Sequence, residues 1–83
     1  MEGEKMERFN LNRVACPHCG TSGNGNLNAS SQIEYTGHVD GNAWVSCPDC
    51  GAFVDFTEDG EITDHGGAFE MEWQVNIDSA LEG

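Results

Sequence analysis

Two near-identical five-residue motifs constrain this chain more than any other feature of its sequence. Both read Cys-Pro-x-Cys-Gly, at residues 16–20 and at residues 47–51. Two cysteines with two residues between them can wrap a tight turn around one ion, so that both sulfurs point inward. Proline preorganises such a turn, and the glycine permits the backbone conformation that brings amide groups near the sulfurs. The motifs therefore predict two halves of one metal site.

The predicted ligands of this site are Cys16, Cys19, Cys47 and Cys50. Two such turns on facing hairpins complete a tetrahedral four-sulfur site, and zinc is the usual ion in it. Disulfides are the alternative for four cysteines. The amino terminus shows no charged segment followed by an apolar one, as in a secretory signal, so we expect a cytoplasmic protein with reduced cysteines. No apolar run is long enough to span a bilayer.

The paired motifs resemble those of zinc ribbons and of the small CPxCG-type zinc-finger proteins common in haloarchaea. The resemblance covers residues 14–56. It implies a three-stranded sheet and a structural zinc ion held by the four cysteines. Zinc ribbons recur in transcription and translation machinery, so the resemblance also implies a non-enzymatic interaction module, an adaptor or regulator of such an assembly.

A second resemblance, to rubredoxins, suggests iron and electron transfer instead. Residues 44–51, WVSCPDCG, look similar to the second cysteine turn of that family. Two departures weaken the likeness. Ser46 separates Val45 from Cys47, where the rubredoxin pattern usually has no residue. The first turn is followed by residues 21–23, Thr-Ser-Gly, and lacks the expected aromatic residue.

The charge distribution bears on the partner. Asp and Glu total 15, Lys and Arg total 3, and the formal net charge is -12; no Lys or Arg lies between Val14 and Gly83. Such a surface repels phosphate backbones, so we expect no direct binding of nucleic acid. It is suited to a protein partner with a basic surface. Adaptation to salt, or mimicry of a nucleic acid by a viral inhibitor, would also produce this composition.

The apolar pattern predicts a small, mostly β protein. Residues 1–8 are expected to form a flexible tail, and residues 9–83 one domain with the ribbon at 14–56 and a β extension at 57–78. Strands are predicted at 9–15, 32–39, 43–47, 52–57 and 61–64, with turns at 40–42 and at 59–60 and a mobile loop at 20–30.

Strict alternation predicts one further strand near the carboxyl end. Its apolar positions are Phe69, Met71, Trp73, Val75 and Ile77, and the residues between and after them are polar. A strand with this pattern has one apolar and one acidic face. It is expected either to pack on the ribbon or to pair with another chain at a sheet edge. No helical period is apparent.

Catalysis is not expected. No catalytic triad, phosphate loop or paired-carboxylate motif is present, and four thiolates would leave no open position on a metal. His18, His38 and His65 are predicted to be surface residues. Trp44 and Trp73 are predicted to serve the core, with exposure of either as a binding anchor the alternative.

Overall fold

The computed structural model describes residues 8–22 and 26–82, so residues 1–7 of the tail predicted at 1–8 lie outside the described residues, and Arg8 lies in a strand instead of a tail. The elements, in chain order, are β1 (Arg8–Phe9), a 3-10 turn (Leu11–Arg13), β2 (Asn28–Ala29), α1 (Ser31–Thr36), β3 (Asn42–Ser46), β4 (Phe53–Thr57), β5 (Ile62–Gly66), α2 (Glu70–Ala80) and β6 (Leu81–Glu82). Within these residues, no helix has both the length and the apolar character needed to cross a membrane.

A four-stranded antiparallel sheet, in the order β2-β3-β4-β5, forms the centre of the mostly β fold. The strands predicted at 43–47 and 52–57 are confirmed as β3 and β4, whose inward side chains are fully buried at Val45 and Val54. The hairpin predicted around Asp59 and Gly60 is also confirmed, and β5 is its returning strand.

Three strands of the sheet, β2, β3 and β4, begin within residues 14–56, the range of the zinc-ribbon resemblance, and β5 belongs to the predicted β extension. Strand β2 is a departure from the predictions, because it lies within the segment predicted to be a loop, where it pairs Ala29 with Val45 of β3. Burial explains this departure. Leu27 and Ala29 are buried among otherwise polar neighbours, so even these few apolar side chains bind the end of the loop to the sheet. Residues 23–25 lie outside the described part.

The strand predicted at 9–15 is wrong. Only Arg8 and Phe9 are in a strand, which pairs with Leu81–Glu82 in a separate two-stranded ribbon. The 3-10 turn follows because the side chain of Asn10 accepts a hydrogen bond of 3.1 Å from the Asn12 amide. Such local side-chain bonds compete with extended pairing, and the alternation of asparagines with apolar residues concealed this.

The strand predicted at 32–39 is also wrong, because Ser31–Thr36 forms helix α1. Gly37 ends the helix in the left-handed conformation, with φ of 67°, and its amide bonds to the Ile33 carbonyl. Such a glycine is a common helix terminator. The predicted strand therefore combined two different segments. Ile33 is a buried residue of helix α1, whereas Val39 is a buried residue of the loop that follows the helix.

The strand predicted from residue 69 to 77 is helix α2 instead, so the extension at 57–78 is not wholly β. Trp73, Ile77 and Ala80 are its buried residues, and their spacing of four and three is that of one helix face. Glu70 and Glu72 lie in the first turn, where carboxylates interact favourably with the helix dipole. Phe69, Met71 and Val75 fall on the exposed side, so their alternation with polar residues did not reflect burial.

Helix α2 joins the two ends of the fold. Its buried face belongs to the same core cluster as the inner sheet residues and the stacked rings of Phe9 and Phe56, whose centroids are 5.3 Å apart. Gln74 donates a 2.6 Å hydrogen bond to the Gly60 carbonyl in the β4–β5 turn. Asn76 donates one of 2.5 Å to the Ala15 carbonyl. The helix thus holds the far hairpin and the segment before Cys16 in place.

Candidate metal centre

The first cysteine turn is a small hairpin loop closed by backbone hydrogen bonds. Ala15 and Ser22 form an isolated antiparallel bridge. Inside it, the Cys16 amide donates to the Thr21 carbonyl at 2.8 Å, and the Gly20 amide donates to the Cys16 carbonyl at 2.7 Å. Gly20 has a φ of 80°, which explains why glycine follows the second cysteine.

The second cysteine turn has the same pattern of backbone hydrogen bonds as the first. It forms the loop between β3 and β4, where the Cys47 amide donates to the Ala52 carbonyl at 2.7 Å. The Gly51 amide donates to the Cys47 carbonyl at 2.8 Å, and Gly51 has a φ of 83°. The repeated sequence motif is therefore a repeated structure, as the pattern predicted.

The two turns face one another, and their four sulfurs form a compact cluster. All four Sγ atoms lie within 4.8 Å of one another. The Sγ atoms of Cys16 and Cys50 are 3.4 Å apart, as are those of Cys19 and Cys47. Zinc–sulfur bonds of about 2.3 Å would place the sulfurs of a tetrahedral site about 3.8 Å apart. The observed separations bracket this value, so the four cysteines are positioned to bind a metal ion.

The cluster is buried on one side only. Cys16 and Cys47, the first cysteine of each turn, are buried, while Cys19 and Cys50 are exposed. Each turn thus contributes one sulfur from the core and one from the surface. All four cysteines are free thiols that share this geometry with no S–S bond among them. The donor set is soft and complete, which suits an ion held for structural purposes.

A threonine that sequence reasoning missed adjusts one sulfur. The Thr21 hydroxyl lies 3.1 Å from Sγ of Cys19. Hydrogen bonds from this hydroxyl, and then from the Thr21 amide, are the largest influences on the Cys19 thiol and lower its pKa from 9.0 to about 6. Because these bonds stabilise the thiolate, Cys19 is prepared to bind a cation at neutral pH.

The opposite shift occurs at Cys50. Its largest single influence, the Ala52 amide, lowers the pKa of the thiol. Desolvation and the neighbouring sulfurs of Cys16, Cys47 and Cys19 outweigh that bond and raise the pKa of Cys50 to about 12. Four thiolates cannot crowd together without a compensating positive charge. The cluster therefore favours the presence of a cation over four ionised sulfurs alone.

Thr21 also connects the two turns through Asp49. Its hydroxyl lies 3.3 Å from Oδ2 of Asp49, the variable residue of the second motif. When Cys19 is a thiolate, the single hydroxyl proton of Thr21 can serve either the sulfur or the carboxylate. In the sequence, only their positions relate these two residues to the site: Thr21 directly follows the first motif, and Asp49 lies inside the second.

The remaining candidate residues lie apart from the sulfurs. His18 is exposed within its turn, and the only group of possible ligands among the described residues is the four cysteines. His65 is exposed, with Nε2 3.4 Å from a carboxylate oxygen of Glu70. Trp73 is fully buried and serves the core as predicted, whereas the prediction of a core role is wrong for Trp44, which is 42% exposed.

Comparisons with protein-family models, with curated proteins and with solved structures gave no match to this chain. The functional argument therefore depends on the geometry of its own residues.

Proposed function

We propose that this chain is a zinc-stabilised, non-enzymatic module that binds a basic protein partner. Two features support zinc. The four sulfurs lie close enough together to bind one ion, and zinc is the usual ion of four-cysteine sites, in which the sulfurs fill its coordination sphere. A site of that kind holds the two cysteine turns together and leaves no position at which a metal-bound water could react. The ion's role in the proposal is structural.

The observation that supports the binding function is the outward face of helix α2 together with Phe69, the residue immediately before the helix. Phe69 is 72% exposed, Met71 73% and Val75 63%. With Glu72 and Asn76, these side chains line a shallow groove. Isolated apolar residues on a surface are ordinary, but a contiguous group of three large ones is typical of an interaction site. We refer to Phe69, Met71 and Val75 as the helix patch.

Charge indicates what kind of partner this helix patch fits. Glu70 and Glu72, both exposed, border it, and no Lys or Arg occurs from Val14 onward. A second copy of the chain would bring two surfaces of net charge -12 together, at a cost in repulsion. A partner with an apolar ridge flanked by lysines or arginines would gain from both features. By analogy with zinc ribbons, components of transcription or translation machinery are suitable candidates.

Metal analysis and affinity capture test the proposal separately. Mass spectrometry of purified protein should find one zinc per chain. Iron in a red protein would instead support the electron-carrier alternative. For binding, we expect wild-type protein to capture a specific partner that Met71→Lys/Val75→Lys fails to capture, since both positions are exposed and the variant should fold normally.

The matched control places the same two charges elsewhere. Asn26 and Thr63 are exposed and outside the helix patch, so Asn26→Lys/Thr63→Lys should capture the partner as the wild type does. The captured protein would then be purified and its affinity for all three forms measured by calorimetry. Equal affinity for all three would contradict a role for the helix patch. Loss in both variants would point to charge alone.

A further inference from the structure

The outer face of the sheet carries an unusual row of side chains. Buried Val45 and Val54 point toward the core, so their neighbours Trp44 and Asp55 point outward. Trp44 pairs directly with Asp55, and Asp55 pairs directly with Asp64 on the next strand. Residues paired in this way have Cβ atoms about 4.5–5.5 Å apart. We refer to Trp44, Asp55 and Asp64 as the outer row.

A second aromatic ring borders the outer row. Phe53 is two residues before Asp55 on the same strand face and is 37% exposed. Its ring lies over Gly66, its partner on β5, and a side chain at Gly66 would overlap that ring. The ring therefore extends toward β5, on the same side of the sheet as Asp64. Asp55 therefore has an aromatic neighbour in two directions: Trp44 opposite it on β3, and Phe53 two residues earlier on β4.

The outer row places two like charges, Asp55 and Asp64, opposite each other on neighbouring strands. Like charges that lie directly opposite on neighbouring strands are destabilising. The basic residues that the structure describes do not relieve them. Arg8 lies in the separate β1–β6 ribbon, and Arg13 donates a hydrogen bond to the Ser79 carbonyl. One carboxylate oxygen of Asp64 accepts a hydrogen bond of 2.9 Å from the His65 amide, but this bond brings no positive charge to the pair of carboxylates. His65 lies next to Asp64 in sequence but points to the other face of the sheet, where it approaches Glu70. The outer row would therefore be stabilised by a cation from outside the described residues.

We propose that the outer row binds an arginine side chain from an extended basic segment of a protein partner. A planar guanidinium can stack on the Trp44 ring while it donates hydrogen bonds to Asp55 and Asp64. Charge-assisted bonds of this kind are about twice as strong as neutral ones. Aromatic carbons are not metal ligands, so the bordering rings favour a side-chain cation over a metal ion. The inference rests on the proposed function, because it supplies a second contact for a basic partner.

Small peptides with a single charge test this site without the general attraction of a polycation. The probes are acetyl-Gly-Arg-Gly-amide and the same peptide with citrulline, which keeps the shape and removes the charge. They would be titrated into zinc-loaded, nitrogen-15-labelled protein and followed by NMR. We expect the arginine peptide to shift the amides of residues 44, 55 and 64 and the indole of Trp44, and the citrulline peptide to leave them in place.

Variants establish that the carboxylates of the outer row cause the binding. Asp55→Asn/Asp64→Asn keeps the side-chain shapes and should weaken the arginine peptide at least tenfold. Glu58→Gln/Asp59→Asn removes the same charge from the exposed β4–β5 turn and should leave affinity unchanged. Dispersed NMR spectra of each variant would verify the fold. Equal affinity in the wild type and in Asp55→Asn/Asp64→Asn would overturn the inference, as would equal shifts from the citrulline peptide.

Two further measurements separate this inference from neighbouring ideas. Calcium or magnesium chloride should produce no saturable shift at the outer row, and tight binding of either ion would overturn the choice of arginine. Met71→Lys/Val75→Lys should bind the arginine peptide as the wild type does, because the helix patch is a different surface. If the peptide fails to bind while the helix patch still captures its partner, the outer row is refuted and the proposed function is not.

Discussion

The side-chain amide of Asn76 donates a 2.5 Å hydrogen bond to the backbone carbonyl of Ala15, 61 positions earlier in the chain. Ala15 immediately precedes Cys16, so this bond connects helix α2 to the first cysteine turn. The hydrogen bond is part-buried, so loss of the Asn76 side chain would remove a hydrogen bond from the Ala15 carbonyl. We infer that the helix and the metal centre stabilise one another.

Replacement of Asn76 by alanine should therefore reduce stability by about 1–3 kcal/mol, the usual cost of leaving a buried polar group unsatisfied. Asn12→Ala is the matched control. Its side chain is exposed, and only its backbone amide takes part in the hydrogen bond to Asn10. That control should change stability by less than about 0.5 kcal/mol. Denaturant titration of zinc-loaded proteins measures both, and equal values for the two variants would contradict the inferred coupling.

Removal of the metal should unfold the sheet. The two cysteine turns are distant in sequence but adjacent in space. Cys16 and Cys47 also belong to the core cluster. Without a cation, the crowded sulfurs lose what holds them together, and a small core is a weak substitute. Addition of a chelator should abolish the cooperative thermal transition in circular dichroism, and zinc should restore it. Cys47→Ala should resemble the metal-free protein. A transition that survives complete removal of metal would disprove this.

Acid should release the ion, since protons compete for each thiolate. The pKa of Cys19 is lowered from 9.0 to about 6 in the folded protein, so its thiolate contributes stability above pH 9. That contribution diminishes as pH falls from 9 and is lost below about 6. Zinc occupancy should decrease in the same direction, as measured with a colorimetric zinc indicator over a pH series. Zinc occupancy that stays constant over the whole pH series would contradict this model.

Thr21→Val tests the cause of that shift. Valine keeps the shape of threonine but cannot donate the hydrogen bond of 3.1 Å to the Cys19 sulfur. The pKa of Cys19 should then rise, and zinc should be released at a higher pH than in the wild type. Thr63→Val is the control, because Thr63 is exposed on β5 and distant in sequence from both motifs. If the two variants release zinc at the same pH, the Thr21 hydroxyl has no such role.

Trp73 should be the most sensitive core position. The side chain is fully buried, and its Nε1 has no hydrogen-bond partner in the described structure. Trp73→Ala should cost about 3–5 kcal/mol of stability. Trp73→Phe should cost much less, because it fills most of the volume and removes an unsatisfied donor. Trp44→Ala, at an exposed site, should have a small effect. Thermal denaturation compares all three, and an equal loss for both Trp73 variants would argue against the role of the unpaired donor.

Direct affinity for nucleic acid should be absent. From Val14 to Gly83 the chain has no Lys or Arg to neutralise a phosphate, and an exposed aromatic such as Trp44 is a poor substitute for backbone attraction. Fluorescence anisotropy with labelled DNA and RNA at physiological salt should show no saturable binding. Submicromolar affinity for either would refute this interpretation of the charge.

Short-range patterns determined the parts of the fold that the sequence predicted. The repeated cysteine motifs fix their own turns, because the spacing and the glycines at 20 and 51 leave few alternatives to the observed backbone. Strands β3 and β4 were predictable for a similar reason. They flank the second motif directly, and apolar residues alternate along them in register with a well-marked turn at each end.

Tertiary structure alone decided the identity of helix α2. Residues 69–77 alternate as a strand does, yet the core accepts only Trp73, Ile77 and Ala80, whose spacing is helical. An alternating sequence can form either a strand or a helix when some of its apolar residues remain exposed. The sequence alone does not show which of these residues will be buried. The pairing of Thr21 with Asp49, and of Asn76 with Ala15, likewise depends on distant segments meeting in space. The sequence by itself predicted which four cysteines come together, and packing determined which apolar side chains remain exposed.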